Sequence, residues 1–223
     1  MFARILRAAV LGMGMLLGLA AFQARAFDEG IDYVTVPRPQ PTETEGRVEV
    51  LEFFWYGCPH CWHLEPVLTQ WRATMPANAA FRRIPAILGP SWEPLARAYF
   101  AAELMGKVDV IHEPLFRAVH VDKRRLQDLD AITQFVVGLG LDGDAFKEAY
   151  GSFFVEMQVR RAKELGKDFG LDGVPAIVVN GKLRTSATQT GSNEKLFEVV
   201  NALIKREAEA IAVEPAAPAA PAP

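Results

Sequence analysis

The chain has 223 residues, 50% of them hydrophobic and 23% charged, with a formal net charge of −3. Lys plus Arg number 24 against 27 for Asp plus Glu, so no basic excess points to nucleic acid. The two cysteines lie three positions apart, which excludes a disulfide framework and any four-cysteine zinc or iron–sulfur site within one chain.

Arg4 and Arg7 precede an uncharged, mostly apolar run of 15 residues from Ala8 to Phe22, and Ala24-Arg25-Ala26 follows it. A basic start, a short apolar stretch and an A-x-A site predict a secretory signal peptide, residues 1–26, cut after Ala26. The run is shorter than the roughly 20 residues of a membrane span, so stable membrane insertion is not expected. Removing these 26 residues, with three arginines and no acid, leaves 197 residues and moves the net charge from −3 to −6. An acidic exported chain has no electrostatic attraction for nucleic acid or anionic lipid. Its compartment is oxidising, so its one cysteine pair can exist as a disulfide.

Residues 37–46 are polar and proline-rich. Tyr33–Val36 before them suits a short edge strand. Val48–Tyr56 is apolar enough for a strand buried on both faces near its end. Pro59 suits the first turn of a helix running to about Met75, where Pro76 stops it. Phe81–Leu88 is a second core strand.

Over Ser91–Gly170 the strand pattern disappears and helical segments follow one another. Ser91 is expected to cap one ending at Gly106; others are bounded by Asp128 and Gly138, Asp142 and Gly151, and Ser152 and Gly170. Strand character returns at Gly173–Val179. Asn180-Gly181 forms a hairpin turn into Lys182–Thr185. Ser192 or Asn193 caps a last helix to about Ala210. This order predicts an α/β mixed sheet flanked by helices, with an inserted helical domain. The expected division is 27–90 with 171–211 as one discontinuous domain, 91–170 as the insert, and 212–223 as a disordered Ala/Pro-rich tail.

The chemistry concentrates in Phe53-Phe54-Trp55-Tyr56-Gly57-Cys58-Pro59-His60-Cys61. Cys58 falls where a buried strand hands over to a helix, facing unpaired N–H groups and the positive end of the helix dipole. Both favour thiolate over thiol. His60 adds a donor and a source of positive charge, and Cys61, one turn further in, is expected to be more buried. A structural disulfide over so short a loop gains only about 2 kcal/mol. Zinc needs four ligands, and residues 60, 61 and 63 point in different directions on a helix. Haem attachment needs histidine after the second cysteine, where Trp62 stands. Redox chemistry fits the strand–CxxC–helix context best.

These residues, with Gly173-Val174-Pro175-Ala176, Asn180-Gly181-Lys182 and the intervening helical block, resemble the thioredoxin superfamily and, within it, the DsbA-type periplasmic thiol:disulfide oxidoreductases. The resemblance implies a thioredoxin-like fold and a cis Pro175 beside the cysteine pair. It also implies that Val174 offers its backbone to an extended client peptide. It places an acid, Glu52, beneath the site to relay protons for Cys61. An ion pair between Glu52 and a base such as Arg83 on the neighbouring strand, or a position near the surface, is an equal alternative.

The function so implied is donation of the Cys58–Cys61 disulfide to reduced exported clients, through a mixed disulfide at Cys58. Pro59 and His60 complete the catalytic loop. The redox-active disulfide is the only cofactor, with no metal. A DsbB-type inner-membrane, quinone-linked oxidase recharges the protein, which acts in the periplasm as a monomer. Disulfide isomerisation or reduction on the same fold is an alternative; such isomerases carry an N-terminal dimerisation domain, for which the roughly 20 residues before the core strand leave no room. A non-enzymatic client-binding module is the other.

Other patterns carry less. His112-Glu113 lacks the second histidine of a zinc-protease motif, since Phe116 stands there, and Gly181-Lys182 has no phosphate-loop spacing before it. His112 and His120 read as helix-surface or domain-packing residues. Trp92, Phe100, Met105, Leu115 and Phe116 read as core of the helical block.

Overall fold

The computed structural model describes residues 27–213. The expected signal peptide and residues 214–223 of the expected tail lie outside them. Five strands, β1 (Val34–Thr35), β2 (Val48–Phe54), β3 (Ala79–Pro85), β4 (Ala176–Val179) and β5 (Leu183–Thr185), form one sheet in the order β1-β5-β4-β2-β3. β2 and β3 are parallel and the other pairs antiparallel, which makes the sheet mixed. β2 is central, and all seven of its residues are buried. Its run of Val, Leu and Phe reflects cover on both faces.

Helix α1 (Pro59–Ala73) follows β2, and α8 (Asn193–Val213) closes the described chain. Leu64, Leu68 and Trp71 of α1 meet Leu196, Val199 and Val200 of α8 in a core that includes Val48 and Val50. Burying each such aliphatic side chain stabilises by about 1.5–3 kcal/mol. Between β3 and β4 lie α2 (Glu93–Leu104), α3 (Val108–His120), α4 (Leu129–Gly138), α5 (Gly143–Tyr150) and α6 (Phe153–Asp168). They share a second core with Leu51, Phe53, Phe54 and Tyr56. Phe100, Leu115 and Phe116 are buried in it, whereas Trp92 and Met105 are only partly so.

Asp128, Asp142 and Ser152 cap α4, α5 and α6, each accepting from backbone N–H groups of the first turn. Ser192 accepts from the Lys195 N–H at the start of α8. Asn180 and Gly181 both have positive φ, 52° and 65°, as a tight hairpin between β4 and β5 requires.

Several boundaries differ from expectation. The strand expected at Phe81–Leu88 lies at Ala79–Pro85, because the ladder with β2 runs from Val48–Ala79 to Phe54–Pro85 and recruits two alanines of low strand preference. β2 ends at Phe54, because residues 55–58 form a turn closed by the Cys58 N–H on the Trp55 carbonyl at 2.9 Å. Ser91 caps nothing: Pro90–Trp92 is a single 3₁₀ turn, and α2 begins at Glu93, where Pro94 suits a first turn. The last helix runs to Val213 rather than about Ala210, and a short helix α7 (Ala187–Thr190), capped by Ser186, precedes it.

Candidate active site

Cys58 is the N-cap of α1, in extended conformation, with Pro59 in the first turn. A proline there forfeits no helical hydrogen bond. Both cysteines are free thiols. Cys58 is 7% exposed and Cys61 is fully buried, while Pro59 and His60 are exposed. The Cys58 sulfur receives a hydrogen bond from the Cys61 thiol, backbone N–H groups of Cys61 and His60 point at it, and the charge of His60 adds to them. Together these outweigh burial and bring the Cys58 thiol down to about 6. Burial and the neighbouring Cys58 and Glu52 charges push the Cys61 thiol far up.

The Val174–Pro175 peptide bond is cis. The Cys58 Sγ–H donates to the Val174 carbonyl at 3.3 Å, so the loop before β4 faces the cysteine pair. A cleft of about 410 Å³ opens beside it, lined by Asp172, Val174, Pro175, Arg184, Ser186 and Gln189.

Glu52 is fully buried on β2, in register with Arg83 on β3. Arg83 Nε donates to Glu52 Oε2 at 2.9 Å. The ion pair that sequence reasoning held as an alternative is therefore present. Burial nonetheless dominates and raises Glu52 to about 8, against the lowering effect of Arg83. Its other oxygen, Oε1, is buried without a hydrogen-bond partner among the described residues.

Sequence reasoning missed a hydrogen-bonded chain that continues from this pair. Arg83 Nη2 donates to Glu65 Oε2 at 2.8 Å. Glu65 Oε1 lies 3.2 Å from His112 Nε2, and Tyr56 Oη lies 2.8 Å from His112 Nδ1. A carboxylate accepts, so the network assigns the proton of neutral His112 to Nε2, and the Tyr56 hydroxyl donates to Nδ1. Burial holds His112 below its ordinary value. For Glu65, burial is outweighed by the hydrogen bond from His112 and by the charges of Arg83 and Arg72, and its carboxyl sits low. The available signal was the Cys61–Glu65 spacing, which places both on one face of α1.

The turn before Cys58 is held by the helical block. His120 Nε2–H donates to the Tyr56 carbonyl at 2.8 Å. Trp92 stacks on Trp55 with centroids 4.3 Å apart and planes 6° from parallel. A Cβ on Gly57 would come within 2.3 Å of the Trp55 ring, so only glycine admits this packing. His112 and His120 thus lie at the contact between insert and sheet, as the domain-packing reading of them expected.

A DSBA-like thioredoxin domain family profile matches residues 75–203, downstream of the two cysteines. The chain is 39% identical over 181 residues to the thiol:disulfide interchange protein DsbA of Azotobacter vinelandii, covering 81% of this chain and 85% of the relative. It is 36% identical over 199 residues to that of Pseudomonas aeruginosa, covering 89% and 94%. The crystal structure of Pseudomonas aeruginosa DsbA superposes with a TM-score of 0.80 at 35% identity, over 85% of this chain and 98% of that one. The Xylella fastidiosa oxidoreductase DsbA superposes with a TM-score of 0.75 at 32% identity, over 80% and 96%. With the cysteine pair at a helix start, the mixed sheet and the helices between β3 and β4, these likenesses are sufficient: the chain belongs to the DsbA-like thioredoxin family.

Proposed function

We propose that this chain is a protein thiol:disulfide oxidoreductase that donates its Cys58–Cys61 disulfide to exported proteins. The observation that carries the reading is the asymmetry of the pair: Cys58 caps a helix start, where N–H groups aimed at its sulfur draw its thiol down, while Cys61 is fully buried, which pushes its thiol up. The names of the relatives support the same reaction.

A client thiolate attacks Cys58 Sγ. A client–Cys58 bond forms, the Cys58–Cys61 bond breaks, and Cys61 leaves and takes a proton. A second client thiolate then attacks the client sulfur of the mixed disulfide. The client disulfide forms, and Cys58 leaves as the thiolate. Two client thiols are oxidised and the cysteine pair is reduced. Lowering Cys58 from an ordinary 9.0 to about 6 stabilises the reduced form at pH 7 by about one pKa unit's worth, or about 30 mV towards an oxidant.

Cys61 is a poor leaving group unless protonated, because its thiol is pushed far up. Glu52, protonated at neutral pH and with Oε1 free of Arg83, supplies that proton and takes one back on recharging. Val174 and Pro175 bind the client main chain beside Cys58, Pro59 leaves the helix start open, and His60 contributes charge.

In the cell, this reading has the protein exported to the periplasm, with a signal peptide cut after Ala26. A DsbB-type quinone-linked membrane oxidase recharges it, and it works as a monomer needing no metal or organic cofactor. The domain division into 27–90 with 171–211, and 91–170, is supported by the absence of any strand between β3 and β4 among the described residues. The test is oxidation of a reduced, unfolded client by stoichiometric oxidised protein. Cys58→Ala should abolish it, and reduced Cys61→Ala mixed with a disulfide-bonded client should be isolable as a Cys58–client mixed disulfide, because no second thiol is left to release the client. An undiminished rate with Cys58→Ala would overturn the assignment.

A further inference from the structure

His112 comes from α3, far along the chain from the cysteines, yet it is 7% exposed and both ring nitrogens are engaged. Nothing in the reaction above uses it. A buried imidazole with two specific partners is costly to keep unless both bonds are maintained. Its partners lie on either side of the redox chemistry. Tyr56 stands two residues before Cys58, and Glu65 stands four residues after Cys61 and shares Arg83 with Glu52. Phe54, Tyr99 and Phe116 surround the ring and keep water from replacing either bond.

We propose that His112 is a positioning residue for the Cys61 half of the reaction: by holding Tyr56 and Glu65 it fixes how Arg83 is shared between Glu65 and Glu52, and so controls proton exchange at Cys61. The inference rests on the proton-relay reading of Glu52. The charged and titratable groups facing His112 are Tyr56 from the turn, Glu65 and Arg72 from α1, Arg83 from β3 and Tyr99 from α2. When the Nε2–H donor is removed, Glu65 keeps its charge and draws Arg83 more strongly. Glu52 loses part of its counter-charge and holds its proton to higher pH.

The step affected can be isolated with glutathione disulfide. The reduced protein's Cys58 thiolate attacks it, forming a Cys58–glutathione bond and releasing one glutathione thiolate. Cys61 then loses its proton and attacks Cys58 Sγ, re-forming the internal disulfide and releasing the second glutathione. Acid quench and mass spectrometry of the full chain read the two phases separately across pH.

His112→Leu should leave the first phase within twofold. It should slow the second at least tenfold at pH 7 and move its pH midpoint up by about one unit or more. Tyr56→Phe removes a single oxygen and should move the second phase in the same direction by less; it is the readout should His112→Leu fail to fold. His112→Gln, which keeps a donor and an acceptor, should recover much of the rate. A second-phase midpoint that stays put or falls in Tyr56→Phe and in folded His112→Leu would overturn the proposal. Glu52→Gln separates the two readings. If it shifts the second phase while the His112 and Tyr56 variants do not, only the role of His112 is lost. If Glu52→Gln shifts nothing, the relay reading fails and this inference falls with it.

Discussion

Cys58 Sγ and the Val174 carbonyl oxygen lie 3.3 Å apart although 116 positions separate them in the chain. The bond exists only while Cys58 carries its proton, so ionisation or reaction of the sulfur leaves the carbonyl open. On the proposed function, a client backbone N–H then takes it, adding an extended strand beside the sulfur it attacks. Methylating the backbone nitrogen next to the reactive cysteine of a peptide client should raise KM about fivefold, the worth of about one net hydrogen bond, with kcat almost unchanged. Steady-state oxidation of the two peptides checks this.

The stability of the reduced protein relative to the oxidised one should rise with pH. A thiol lowered on folding contributes stability that is complete above its unfolded value and lost as pH falls through its folded value. For Cys58 this window runs from 9.0 down to about 6. The reduced form should therefore gain on the oxidised form by about 1 kcal/mol between pH 5 and pH 7 and by about 2 kcal/mol more towards pH 9, against a pH-independent contribution of about 2 kcal/mol from the disulfide. Denaturant midpoints of both forms across pH measure it.

Gly57→Ala should destabilise by about 1–3 kcal/mol, because the new methyl meets an indole held in a stack with Trp92. In the Trp92→Ala background the indole can yield, and the same substitution should cost less. A double-mutant cycle in denaturant reads the coupling.

Arg83→Met leaves Glu52 and Glu65 buried without their shared counter-charge, at a cost of about 3–5 kcal/mol near pH 8. Both carboxyls then gain protons more readily in the fold than in the unfolded chain. Stability gained this way is present at low pH and lost as pH rises, so the variant should recover towards pH 5. Thermal unfolding at the two pH values tests the sign.

Much of the active-site loop could be read in advance because its chemistry is local. A strand, a glycine, Cys-Pro-His-Cys and a helix are contiguous in sequence, and a neighbouring strand that carries Arg83 offers Glu52 a base; only the structure shows that the two are in register. The missing part came from α3. That helix carries Pro114 in its interior, and its N-cap, Lys107, makes no side-chain cap, so neither usual boundary signal marks it. His112 and His120 both sit on it, and their partners lie about 50 to 60 positions away. No periodicity announces such pairings; they arise from docking the helical block against the sheet. The Trp55–Trp92 stack is hidden for the same reason, and the two-residue offset of β3 follows from pairing that overrides the low preference of Ala79 and Ala80.

The central claim is that Cys58 is a thiolate at neutral pH. Ultraviolet thiolate absorbance of the reduced protein, titrated against pH with Cys58→Ala as reference, tests it most directly. A transition near pH 6 that disappears in Cys58→Ala is the predicted result; a single transition near the ordinary value of 9 would contradict the account.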